Sequence, residues 1–383
     1  MIIDNIKSKF SELFKGEPTL IVRSPGRVNL IGEHTDYNAG FVLPAAIDKE
    51  VVFAIAKNGK EECQLFSYDL NESFSFHPQK MSKSAQGWPN YLMGVVDQVQ
   101  KLGKSVGGFN LVFGGDIPLG AGLSSSAAIE CAMAFSLNQL FDLNIEKFDL
   151  VKLSQKAENE FVGVNCGIMD QFASMFGMSN HVIKLDCRSL EYQYFPFDMS
   201  DYKIVLCDTL VKHSLASSEY NTRRQECEMG VSIIQKYYNN VEALRDVTLE
   251  MLKAHREELG DVIYKRCKYV VEENQRVEDA CAALKRNDHL TFGKKMYLSH
   301  RGLSEEYEVS CNELDFLVEQ TRNDENVLGA RMMGGGFGGC TINLVKKDYV
   351  DVFSEQMTVA YKSQLGLDLK IYVDSIADGT SVV

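Results

Sequence analysis

The chain has 383 residues, 45% hydrophobic and 24% charged, a composition that excludes a disordered protein and allows two or three domains. Forty Lys and Arg against 53 Asp and Glu leave a net charge of −13, which argues against bulk capture of nucleic acid or an anionic membrane. Ten scattered cysteines form no CxxC and no Cys/His zinc spacing, no signal-like apolar core opens the chain, and no apolar run reaches the roughly 18–20 residues of a membrane span. Reduced thiols and a cytoplasmic address are expected.

In chain order, helical spacing of Ile3, Ile6, Phe10, Leu13 and Phe14 predicts an amphipathic helix over 2–14. A strand over 20–24 follows and is expected to stop at Pro25-Gly26. Residues 41–57 read as strand, turn, strand, and 62–68 as another strand. Residues 88–101 form a helix, with Leu92, Val95, Val96 and Val99 on its apolar face. A strand over 109–113 runs into a Gly/Pro/Ser loop. Helices are predicted over about 124–141, 145–161 (ending near Gly163) and 168–176. Strands follow at 181–186, 192–197 and 203–207. Residues 218–321 are mostly helical, with late strands at 341–345 and near 370–374. The pattern is α+β, with domains over 1–195 and 196–383.

Three segments are dense in glycine or polar groups. In SPGRVNLIGEHTDYN (24–38), Glu33, His34 and Asp36 fall within four positions. Carboxylates accept and an imidazole does either, which suits a multiply hydroxylated ligand such as a sugar. A polar loop with local Asp36 and Asn38 turn bonds is the plainer reading. GGDIPLGAGLSSSAA (114–128) lies between a strand and a helix. Its glycines, serines and helix N-terminus suit phosphate without a Walker lysine, while a Ser-capped helix after a turn is the structural alternative. GARMMGGGFGGC (329–340) formally contains GxGxxG, but a strand, not a helix, follows it, so a dinucleotide fingerprint is rejected. Its glycines need close backbone approach, to a ligand or to another loop.

Together the three segments resemble, in order, the motifs of the galactokinase branch of the GHMP kinases, and GRVNLIGEHTDY is similar to that branch's own signature. GIMDQF (167–172) and HSLASSEYNTRRQE (213–226) extend the likeness over nearly the whole chain. The resemblance implies a two-domain α+β fold, ribosomal S5 domain 2-like in its N-terminal half and ferredoxin-like in its C-terminal half, with the site between them. It also implies ATP-dependent phosphorylation of galactose at its C1 hydroxyl, with Mg²⁺, on small-molecule substrates, by a monomer.

The resemblance assigns roles by position. Asp170 matches the catalytic base and Arg27 the cation beside it. Glu33, His34, Thr35, Asp36, Gly167 and Tyr220 match sugar-binding positions. Gly120, Ala121, Gly122, Leu123, Ser124, Ser125 and Ser126 match the ATP-phosphate loop, while Ser67 and Trp88 match peripheral nucleotide contacts. Ser126 and Glu158 match the Mg²⁺ ligands; a hydroxyl and one carboxylate suffice for an ion that keeps waters and phosphate oxygens. Two other functions share much of this pattern, an N-acetylgalactosamine kinase and a non-catalytic sugar sensor. The uninterrupted phosphate loop and Asp170 favour an enzyme over a sensor.

Overall fold

The computed structural model describes residues 2–118, 120–197, 200–212 and 216–383. Leu119 of the second motif and residues 213–215 of HSLASSEYNTRRQE lie outside the described residues. The chain opens with α1 (Ile2–Phe14), β1 (Leu20–Asn29), β2 (Phe41–Val42), β3 (Pro44–Lys57), β4 (Cys63–Ser67), β5 (Glu72–Phe76), α2 (Pro89–Lys101) and β6 (Phe109–Gly115). Helices α3 (Ser125–Leu140), α4 (Lys147–Lys156) and α5 (Met169–Phe176) precede β7 (His181–Asp186), β8 (Tyr192–Pro196) and β9 (Tyr202–Lys212). Then come α6 (Ala216–Gln235), α7 (Leu249–Ala254), α8 (Arg256–Lys285), α9 (His289–Glu305) and α10 (Asn312–Glu319). The chain closes with β10 (Val327–Met332), β11 (Gly338–Lys346), α11 (Val350–Leu365), β12 (Lys370–Asp374) and β13 (Ser381–Val382).

Three sheets result: six strands in the order β13-β1-β3-β6-β4-β5, four in the order β10-β11-β9-β12, and three in the order β2-β7-β8. The six-stranded sheet is covered on both faces. Ile6 and Phe10, one turn apart on α1, pack with Val52, Ala54 and Val112, and burying such side chains contributes roughly 1.5–3 kcal/mol each. On the other face, α3 and α5 pack on β1 and β3. The sheet and these helices share one core with residues of α8 and α9, including Val277, Phe292 and Met296.

Two departures from the predicted elements carry the site. The first strand does not stop at Pro25-Gly26; β1 continues to Asn29 with a register shift between Pro25 and Arg27. A Cβ on Gly26 would lie 2.8 Å from the Leu123 carbonyl oxygen, so only glycine lets the loop before α3 approach here. Such a bulge re-aims the next side chain, here Arg27. The helix predicted over 145–161 is α4 followed by a π-helical turn, Ala157–Val162, that ends on Gly163 at φ +97°. A wider turn shifts the side chains it carries, and this one presents Glu158 inward.

β5, β10, α11 and β13 were not anticipated. β13 is two residues pairing with Val22 and Arg23 of β1, a long-range contact without local pattern. α11 did have one, since Val350, Phe353, Met357 and Tyr361 are its buried face.

Candidate active site

β1 and the turn after it, the start of α5 with the residues just before it, α6 and the loop between β10 and β11 converge on one cavity of about 130 Å³. Arg27, Glu33, His34, Asp36, Gly167, Asp170 and Tyr220 all line it, together with Gly334 and Gly335. Seven residues predicted from separated segments thus meet at one place.

Arg27 holds two of those segments together. Its Nε and Nη2 donate to Asp170 Oδ1 and Oδ2, each at 2.6 Å, in the forked geometry that guanidinium and carboxylate share. Its Nη1 donates to the Gly122 carbonyl at 2.5 Å and its backbone N–H to the Leu123 carbonyl at 3.1 Å. Burial works against the Arg27 charge, yet Asp170 beside it holds the guanidinium pKa above its ordinary value. The Ser124 hydroxyl also donates to Asp170 Oδ2.

The loop itself is pinned from below. Ala121 and Leu123 are buried at 0% and 1% exposure, whereas Gly120 and Gly122 are exposed with φ of +80° and +76°. Ser124 is left-handed at φ +56° and precedes α3, whose first turn carries Ser125 and Ser126. Backbone that turns this way at a helix N-terminus directs N–H groups outward, as anion binding requires.

Behind the loop lies a buried acidic pair. Ser126 lies near Glu158, and burial pushes the Glu158 carboxyl up while Cys166, Ser126 and Gln171 oppose that. Gln171 Nε2 donates to Glu158 Oε2 at 2.7 Å and to Glu130 Oε2 at 3.1 Å. Burial, then the Glu158 charge, pushes Glu130 well above the usual carboxylate range. Among the described residues no cluster of three or more His, Cys, Asp or Glu could hold a metal.

The first motif turns into the pocket at Gly32, φ +98°, where a Cβ would lie 2.6 Å from the Phe41 carbonyl oxygen. His34 follows at φ +61°, a strained conformation for a residue with a Cβ and one found at functional sites. Burial pulls its imidazole down to about 3, so the ring is neutral at neutral pH. Burial, reinforced by the Asp170 charge, pushes the Asp36 carboxyl up to about 7. Asp36 lies against Gly167, where a Cβ would overlap its Oδ2. Thr35 does not line the cavity; its hydroxyl donates to the carbonyls of Gly32 (2.9 Å) and Phe41 (2.6 Å) and so fixes the turn.

The third motif roofs the pocket. Arg331, fully buried, donates through Nε to the Leu30 carbonyl, through Nη1 to the Met332 carbonyl, and through Nη2 to the Asn29 carbonyl and Glu33 Oε1. The Gly334 N–H also donates to Glu33 Oε1, at 2.9 Å. A Cβ on Gly335 would touch the Tyr220 ring at 3.4 Å, and one on Gly336 would overlap the Val309 carbonyl. The close approach left open by the sequence is therefore to other parts of the chain, namely Glu33 and Val309. The sequence reading missed Arg331, Gln171 and Glu130 as parts of the site; GAR was in view, but a buried arginine has no periodic signature.

Ser67, at the end of β4, and Trp88, just before α2, are not among the cavity-lining residues, and both neighbour Phe113 of β6. Ser67 pairs with Phe113 in parallel register, and the Trp88 ring centroid is 5.5 Å from that of Phe113. Trp88 Nε1 donates to Glu72 Oε2 at 2.7 Å. β6 leads from Phe113 into the phosphate-loop segment.

Three family descriptions match the chain: the galactokinase galactose-binding signature over residues 8–57, the GHMP kinases N terminal domain over 90–178, and GHMP kinases C terminal over 280–362. The chain is 45% identical over 383 residues to the galactokinase of Clostridium beijerinckii, covering 99% of this chain and 98% of that one. It is 41% identical over 378 residues to the galactokinase of Roseiflexus sp., covering 99% and 96%. The crystal structure of Lactococcus lactis galactokinase complexed with galactose matches at a TM-score of 0.95 and 36% identity, over the whole of both chains. Methanococcus jannaschii mevalonate kinase shares the fold, with a TM-score of 0.68 at 18% identity over 95% of this chain and 100% of that one.

Proposed function

The chain belongs to the galactokinase family of the GHMP kinases, and we propose on that premise that it transfers the γ-phosphoryl group of ATP to the C1 hydroxyl of galactose. It is an ATP-dependent galactose kinase. Galactose 1-phosphate as product, and a place at the entry of galactose catabolism by the Leloir pathway, are the finer parts of the proposal.

The observation that carries it is the Arg27 fork. One guanidinium bonds Asp170 on one side and the Gly122 carbonyl of the phosphate loop on the other. The proton acceptor and the γ-phosphate cradle are thereby fixed to each other, at the rim of a cavity walled by Glu33, His34 and Asp36. In this mechanism Asp170 accepts the C1 hydroxyl proton as that oxygen bonds to the γ-phosphorus and the bond to the β,γ-bridging oxygen breaks, releasing ADP. A carboxylate is a weak base, so proton transfer comes late and positioning does most of the work, in keeping with a loose phosphoryl-transfer transition state. Arg27 fixes the direction of Asp170 and offsets charge on the transferring group.

Ser126 and Glu158 would hold Mg²⁺. The fit rests on a hydroxyl and a carboxylate near each other beside the phosphate loop, with Gln171 and Cys166 directing the carboxylate. The bound ion would supply charge neutralisation to the ATP phosphates. On the sugar side, Glu33, His34, Asp36, Gly167 and Tyr220 would take the hydroxyls, with Thr35 supporting them through the turn. Ser67 and Trp88 would lie toward the nucleoside.

We further propose a cytoplasmic monomer acting on small molecules, divided near 195/196, with no nucleic-acid or membrane partner. The net charge of −13 and ten free cysteines support this, and no described helix is long and apolar enough to cross a membrane. A coupled ADP-release assay over a panel of hexoses tests the function. Galactose should turn over far faster than glucose or mannose, and equal rates on all three would reject the assignment of the pocket.

A further inference from the structure

Behind the sugar pocket runs a chain of buried hydroxyls that the mechanism does not use. His34 Nδ1 lies 2.7 Å from the Tyr37 hydroxyl, that hydroxyl lies 2.8 Å from the Tyr307 hydroxyl, and Tyr307 ends the chain at Cys227 Sγ, 3.2 Å away. Tyr307 and Cys227 are 0% and 1% exposed. The other ring nitrogen, His34 Nε2, is buried, belongs to a residue lining the sugar cavity beside Gly335, and makes no hydrogen bond of ordinary geometry among the described residues. The ring cannot easily turn away: the His34 backbone is left-handed, its carbonyl accepts from Asn38 Nδ2 at 2.8 Å, and the rings of Tyr37, Tyr220 and Tyr307 surround it.

We propose that Tyr37 is a positioning residue that, backed by Tyr307 and Cys227, holds His34 with its proton on Nε2, so that the ring donates to a sugar hydroxyl oxygen. The proposal rests on the reading of this cavity as the galactose site.

The direction of the chain follows from its acceptors. A neutral imidazole has one N–H and one bare nitrogen, and that bare nitrogen is the best acceptor in the series, whereas a thiol sulfur is the poorest. If protons run from Cys227 toward His34, the Tyr307 hydroxyl donates to Tyr37, and Tyr37 donates to Nδ1. Run the other way, the last hydroxyl proton would fall on sulfur, the weakest acceptor in the series. The first direction leaves Nε2–H facing the cavity. It also complements the other walls. Glu33 and the ionised form of Asp36 only accept, so a sugar hydroxyl that donates to one of them still needs a donor at its own oxygen.

The test reads the tautomer directly. Long-range proton–nitrogen spectra of the ¹⁵N-histidine-labelled enzyme, without ligand at pH 7, identify which ring nitrogen carries the proton; His34→Gln assigns the signal among seven histidines. The expected result is Nε2–H for His34 in the parent. Tyr37→Phe should move the population toward Nδ1–H and raise the galactose dissociation constant about three- to tenfold, the worth of one neutral hydrogen bond. ATP affinity should be unchanged, and KM should move more than kcat. Tyr307→Phe should act in the same direction but less, and it decides the matter with the parental spectrum if Tyr37→Phe does not fold. A parental His34 protonated on Nδ1 overturns the proposal, as does a Tyr37→Phe protein with parental tautomer and parental galactose affinity. A changed tautomer with unchanged galactose affinity removes the sugar-binding role. Because the tautomer is read without sugar, an enzyme that failed to bind galactose at all would sink the pocket assignment separately.

Discussion

Arg331 Nη2 donates to Glu33 Oε1 at 2.9 Å, joining residues 298 positions apart in a pair exposed by 0% and 4% at their side chains. The third motif thereby reaches the first through a buried ion pair. Glu33 also accepts from the Gly334 N–H, so its direction is set from two sides. Arg331→Met would leave Glu33 without its cation and three backbone carbonyls without their donor. Breaking a buried pair in this way typically costs about 3–5 kcal/mol. Urea unfolding should show a loss of that order, and a loss under about 1 kcal/mol would mean the pair acts no more strongly than an exposed one.

Asp170→Asn preserves shape and removes the proton acceptor. The substrate dissociation constants should change little while kcat falls by about 10²–10⁴-fold, the usual reach of general-base catalysis. Arg27→Lys keeps the charge but loses the fork, so it should be milder than Arg27→Ala. Near-parental single-turnover transfer by Asp170→Asn would assign the whole rate to positioning and electrostatics.

The Asp36 carboxyl titrates at about 7 in the free enzyme because of burial and then the Asp170 charge. A sugar hydroxyl donating to it prefers the ionised form. Galactose binding should therefore strengthen as pH rises from 6 to 8 and release about half a proton at pH 7, measurable by calorimetry in buffers of different ionisation enthalpy. The stability sign is opposite. A carboxyl raised above its ordinary value of 3.8 favours the folded state less as pH climbs from about 4 through 7, so the ligand-free parent should lose stability over that window relative to Asp36→Asn. A pH-independent galactose affinity would place no titrating carboxyl on the sugar.

Ser126→Ala and Glu158→Ala should move Mg²⁺ activation to higher concentration and leave galactose affinity close to parental. Their positions support this, since they lie near each other at the start of α3 and neither lines the cavity. An unchanged Mg²⁺ dependence in both variants would remove them from the metal.

Much of the site could be read in the sequence because it lies on contiguous motifs. Glu33, His34 and Asp36 are nearly adjacent, and the Gly120–Ser126 loop sits between a strand and a helix whose patterns are clear. What escaped was long-range or irregular. The bulge that aims Arg27 depends on Gly26 meeting the Leu123 carbonyl, nearly a hundred residues away. The π turn that carries Glu158 has the same local composition as an α-helix. Arg331 and Tyr307 gain their roles only when α8, α9 and β10 pack against the first motif, which no local periodicity announces.

The most direct test of the account is the identity of the product. Phosphorus and proton NMR of the reaction with galactose, ATP and Mg²⁺ should show a single sugar phosphate, substituted at C1, appearing with one equivalent of ADP. A product phosphorylated at C6, or ADP formed without any sugar phosphate, would contradict the placement of the anomeric hydroxyl between Asp170 and the phosphate loop.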